Sequence, residues 1–79
     1  MVTTPMKPQL KSDITLILGR QVRKLRTDVG FNQEALAAQC DIFRTYLSRI
    51  ENGSANPTIT VVAALAVALR VDIRELFGD

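Results

Sequence analysis

The sequence predicts a small all-α protein, five short helices around one core with a helix-turn-helix at its centre. Three observations carry that expectation. Apolar residues recur at helical spacing from Ile14 onward. Gly30, Gly53 and the Asn56-Pro57-Thr58 triplet punctuate the chain at intervals that suit short helices. A length of 79 residues, 47% of them hydrophobic and 23% charged, describes a folded chain with room for a single modest core. The aromatics are few (Phe31, Phe43, Tyr46, Phe77), so that core must be built from Leu, Ile, Val and Ala.

Residues 1–11 hold two prolines, two threonines and little apolar content, and read as a flexible leader ahead of a domain spanning 12–79. Ser12 is placed to cap the first helix, with Asp13 near its positive end. Ile14, Leu18, Val22 and Leu25 form one stripe with Ile17 beside it, while Arg20, Arg23 and Lys24 fall off it. Gly30 supplies the left-handed residue that ends the helix. Asn32 caps a second helix over 33–40, with Leu36 and Ala37 inward. A third helix, about 44–52, carries Leu47 and Ile50 on one side and stops at Gly53. Thr58 caps a fourth over 59–69. Asp72 and Glu75, three residues apart, make a capping box for a last short helix ending at Phe77-Gly78.

The segment from Gln33 to Gly53 sets the architecture. Two helices this short, joined by three or four residues, must cross steeply. Ala37 gives the inner face of the first helix the small residue that a close crossing needs. Asp41 tolerates a positive φ in the turn better than most non-glycine residues. Ile42 tucks beneath it. The outer face of the following helix then presents Arg44, Thr45, Ser48 and Arg49.

Charge and residue inventory narrow the function. The formal net charge is +2, unevenly spread: six basic residues face two acids up to Gly30, and four face six acids after it. A basic front half suits a polyanionic partner, although a charge run is more often a solvated face. With no histidine, one cysteine, no glycine-rich phosphate loop and no paired carboxylates, neither an enzyme nor a zinc site is expected. The longest apolar stretch, residues 59–69, is too short to span a bilayer, and no membrane partner is expected. Cys40 has no partner for a disulfide and reads as a small buried hydrophobe in a cytoplasmic protein.

Gln33, Ala37, Ile42, Leu47, Ser48, Arg49, Glu51 and Gly53 resemble the helix-turn-helix of the Cro/repressor (xenobiotic-response-element) family. Asn56-Pro57-Thr58 and the apolar helix behind them match its continuation. The resemblance runs from about Ile14 to Phe77 and implies a compact lambda-repressor-like DNA-binding domain. Arg44-Thr45-Tyr46-Leu47-Ser48 also looks like the recognition helix of restriction–modification controller proteins, a branch of that family. Two departures stand out. Asp41 occupies a turn position where glycine is frequent. Phe43 stands where a small polar cap is usual, so that either Asp41 caps from further back or the helix start is less firmly held. The Phe43 ring itself either touches a thymine methyl or packs on a neighbouring helix.

The resemblance implies a transcriptional regulator bound to double-stranded DNA. Base contacts fall to Arg44, Thr45, Ser48 and Arg49, with Arg44 first for a bidentate contact to guanine; for the arginines the competing reading is a solvated charge. Phosphate contacts fall to Gln33 at a helix N-terminus, and to Asn32, Tyr46 and Asn52. Capping alone also accounts for Asn32, and packing for Tyr46. An Arg late in the first helix and a Glu ending the third pair in the family, and Arg26 and Glu51 match them.

The fourth helix is apolar nearly all round. Ile59, Val62, Leu65, Ala66 and Leu69 are expected in the core. Val61, Ala64, Val67 and Ala68, with Phe77, then require a second partner and predict a homodimer on a palindromic operator. RNA polymerase joins the partners if the regulator activates, and DNA binding would place the chain on the bacterial nucleoid. The rival reading is an antitoxin or adaptor whose main partner is another protein.

Overall fold

The computed structural model describes residues 8–78, with side chains described from residue 13 onward. Four α-helices and one 3-10 helix follow in order: α1 (Pro8–Val29), α2 (Gln33–Gln39), α3 (Arg44–Glu51), α4 (Ile59–Leu69) and the terminal 3-10 helix (Ile73–Phe77). The all-α class stands, and the fifth element is a tighter 3-10 turn rather than an α-helix. Residues 1–7 of the expected leader lie outside the described residues. The rest of it is helical, because α1 starts at Pro8 and not at a Ser12 cap. Proline has no N–H to leave unsatisfied and a φ already suited to helix, so it fits a first turn well.

Side-chain caps account for the starts of α2, α4 and the terminal 3-10 helix. The Asn32 side chain accepts from Ala35 N at 2.8 Å, and the Thr58 side chain accepts from Val61 N at 3.3 Å. Asp72 and Glu75 form a complete capping box. The helix ends share one device. Gly30, Asp41, Gly53 and Arg70 all have positive φ. Each is followed by an N–H that reaches back five residues, to the carbonyls of Arg26, Ala37, Arg49 and Ala66. Two of these four residues are not glycine. Asp41 (φ 55°) is a residue type that tolerates this region, whereas nothing in the sequence marks Arg70 (φ 59°) for it.

The core holds Leu18 and Val22 of α1, Leu36 and Ala37 of α2, and Leu47 and Ile50 of α3. Val62, Leu65, Ala66 and Leu69 of α4 join them with Ala55 and Leu76. Ile14, Ile17 and Leu25 are half-buried at the border of the α1 stripe. Ile59 does not join the core and is 69% exposed. It occupies the first position of α4.

The crossing of α1 over α3 depends on Gly19. A Cβ at this position would lie 2.5 Å from the Ile50 carbonyl oxygen and 2.6 Å from that of Glu51. Only a residue without a side chain permits this approach, and it brings the C-terminal half of α1 alongside the end of α3. No described helix is long and apolar enough to cross a membrane.

Candidate nucleic-acid interface

Between α2 and α3 the chain turns within three residues. Cys40 ends α2, Asp41 takes the left-handed conformation, and the Ile42 N–H bonds the Ala37 carbonyl at 3.0 Å. Ala37 therefore serves twice, as the small side chain at the crossing and as the acceptor that folds the turn back. Burial raises the pKa of the half-buried Cys40 thiol and keeps it protonated.

α3 begins at Phe43 with no side-chain hydrogen bond to its first amides, and Asp41 does not cap it from behind. The helix start is thus held by backbone alone, through the Phe43 carbonyl accepting from Tyr46 N and Leu47 N. The Phe43 side chain does not pack on a neighbouring helix. It is 84% exposed.

Leu47, Ile50 and Glu51 are buried on the inner side of α3, while Arg44, Thr45 and Arg49 are exposed on the outer side and Ser48 is half-buried. Tyr46 is half-buried against the core. The two arginines are only lightly held. Arg44 Nη1 donates to Gln33 Oε1 at 3.4 Å, and Arg49 Nη2 to the Ser54 carbonyl at 3.4 Å. Both distances exceed the usual range for N–H···O bonds, so each guanidinium can exchange its present acceptor for a better one at little cost.

Behind this face lies a buried charge cluster. The Glu51 side chain is fully enclosed and accepts from Arg26 Nε at 2.7 Å, Arg26 Nη2 at 3.0 Å and Gln33 Nε2 at 3.1 Å, with Arg23 Nε at 3.4 Å. Burial alone would raise the Glu51 pKa, but the bonds from Arg26, then Gln33, together with the Arg26 charge, outweigh it and hold the carboxyl below its ordinary range. The Arg26 pKa is raised in turn, chiefly by its bond to Glu51. Arg26 Nη1 also reaches the Phe31 carbonyl at 2.9 Å, which ties the loop before α2 to the same cluster.

The expected phosphate-binding residues sit around this cluster. Gln33 is engaged at both ends, by Glu51 and by Arg44. Its amide nitrogen carries two hydrogens, so one remains for a phosphate. The Asn52 side-chain Oδ1 accepts from Arg23 Nη2 at 3.1 Å, and the Asn32 Oδ1 is committed to its cap. The sequence reading missed Arg23. It lies three residues before Arg26, on the same side of α1, and that spacing was the available signal.

The expected self-association face is laid out along α4. Val61, Ala64 and Ala68 are half-buried, Val67 is 78% exposed and Phe77 is exposed. A shallow depression of about 580 Å³ on this side is lined by Ala63, Ala64, Val67 and Ala68 with Gln39, Thr60 and Arg70 at its edges.

Residues 17–77 match the family model described as helix-turn-helix domain. The chain is 38% identical over 69 residues to control protein C.MunI from a Mycoplasma species, covering 86% of this chain and 93% of that one. Among solved structures, it superposes on the restriction-modification controller protein C.AhdI from Aeromonas hydrophila with a TM-score of 0.77. The two are 36% identical, and the match covers 80% of this chain and 96% of that one. The restriction-modification controller protein C.Esp1396I, solved as a tetramer in complex with its natural 35 base-pair operator, matches with a TM-score of 0.70 and 30% identity. That match covers 80% of this chain and 93% of the other.

Proposed function

The chain belongs to the helix-turn-helix domain family, and on that premise we propose that it is a sequence-specific regulator of transcription of the restriction–modification controller type. It binds a palindromic operator as a homodimer, with α3 of each protomer in the major groove and the two α3 helices about 34 Å apart. Arg44 reads a guanine; Thr45, Ser48 and Arg49 complete the base contacts. Gln33, Asn32, Tyr46 and Asn52 fix the register on phosphates. Val61, Ala64, Val67, Ala68 and Phe77 form the contact between protomers. The site of action is the bacterial cytoplasm, on the nucleoid, and activation would add a contact to RNA polymerase.

One observation carries this reading. Arg44, Thr45 and Arg49 stand exposed together on the outer face of α3, while the inner end of the same helix is anchored by the enclosed carboxylate of Glu51. An exposed donor set on a helix anchored from its inner side is what base reading requires. The named relatives support the controller assignment, and the operator complex of C.Esp1396I supports assembly of more than one copy on DNA.

Titration of a mixed-sequence duplex at several salt concentrations tests the proposal. A DNA-binding regulator loses affinity steeply as salt rises. An adaptor or antitoxin with a protein partner shows almost no binding at any salt.

A further inference from the structure

We propose that Phe43 is a base-reading residue whose ring covers a thymine C5-methyl group in the major groove, beside the base pair read by Arg44. The inference rests on the DNA-binding reading above and decides between the two roles that the sequence left open for the Phe43 ring.

Phe43 is unfavourable for the free protein in two ways. It occupies the cap position of α3 without supplying the hydrogen bond that Ser, Thr, Asp or Asn would give there. The residue is 84% exposed, so it gains almost no burial in exchange. Among the described residues, none buries this side chain. The other large apolar residues left exposed (Leu16, Val29, Ile59, Val67, Phe77) belong to α1, α4 or the terminal 3-10 helix. Phe43 alone stands at the end of α3 that leads into the groove, directly before Arg44.

Position and chemistry select the ligand group. Major-groove edges present hydrogen-bonding atoms at every base pair, but the thymine methyl is their one apolar group. A phenyl ring has no donor or acceptor to offer a base edge, and it is matched to that methyl. Phe43 would therefore specify thymine next to the guanine chosen by Arg44, so that consecutive residues read neighbouring base pairs by different means.

The test uses the full chain and an operator obtained by selecting bound duplexes from a random pool. Deoxyuridine then replaces thymidine position by position, which removes only the methyl. The expected result is one symmetric thymine position where the exchange weakens the wild type by about three- to five-fold. Phe43→Ser binds both duplexes alike and Phe43→Leu keeps the discrimination. Phe43→Ser also melts higher by about 4–8 °C, because serine restores the missing cap. The proposal is overturned if a selected operator is bound with no sensitivity to uracil, or if Phe43→Ser retains the wild-type sensitivity; the DNA-binding reading then survives. A lower melting temperature for Phe43→Ser overturns it as well, since the ring would then be holding the fold. Failure to select any operator removes the reading beneath it.

Discussion

The Arg26 guanidinium closes on the Glu51 carboxylate in a two-pronged contact, Nε to Oε2 at 2.7 Å and Nη2 to Oε1 at 3.0 Å, joining the end of α1 to the end of α3. The Glu51 side chain is fully enclosed and that of Arg26 nearly so. Removing one partner of such a pair leaves a desolvated charge behind. Arg26→Ala should cost about 3 kcal/mol of stability, the lower end of the usual 3–5, because Gln33 and Arg23 still donate to the carboxylate. Arg26→Lys should recover only part of this, since an ammonium cannot reproduce the fork. Denaturant unfolding of the three proteins checks both statements.

The same carboxylate makes stability depend on acid. In the folded chain Glu51 holds its proton less readily than in the unfolded chain, because its hydrogen bonds and the Arg26 charge outweigh its burial. Its contribution is complete above the ordinary glutamate pKa and is withdrawn as pH falls below about 4, through the lower folded value. Exposed Asp72, whose pKa is lowered by Arg74, adds to the same trend. Stability measured against pH should fall below pH 4, and Glu51→Gln should be less stable at neutral pH with a flatter acid limb.

Gly19 sets the spacing of α1 and α3. In an ordinary helix Gly→Ala gains roughly 0.5–1 kcal/mol. Here the added methyl meets the backbone carbonyls of Ile50 and Glu51 inside 2.7 Å, and neither can swing aside like a side-chain tip. Gly19→Ala should therefore destabilise the domain, by about 1–3 kcal/mol as for other overpacked sites, and tilt α3 enough to weaken DNA binding. Thermal melting with a duplex-binding assay reads both effects.

These cases show what the sequence made legible. Asn32, Thr58 and the Asp72–Glu75 box were readable because a cap is settled within three residues, and Asp41 because its side chain tolerates positive φ. Arg70 adopts the same backbone conformation with no such preference to announce it. Ile59 continues the apolar period of α4, yet period assigns a face and does not say how far the opposing elements extend. Gly19 and Arg23 act on residues 28 or more positions away, so their roles appeared only once α1 and α3 were in contact. The outer face of α3 was legible because the turn and its buried anchors fix which side points away.

Self-association through α4 has its own test. Val67 is 78% exposed, so Val67→Glu should leave the fold of one chain intact while placing a charge in the proposed contact. Sedimentation should find the wild type at the mass of two chains and Val67→Glu at the mass of one. The variant should bind a palindromic operator far more weakly than the wild type, and single half-sites equally well.

The central claim is that α3 reads bases through Arg44, and it is met most directly by comparing the duplexes that each protein enriches from a random pool. The wild type should yield a palindromic motif. Arg44→Ala should lose its preference for guanine at two symmetric positions, worth about 1–3 kcal/mol of discrimination, while Gln33→Ala enriches the unchanged motif with weaker binding throughout. Recovery of the wild-type motif by Arg44→Ala, with the guanine preference intact, would contradict the account.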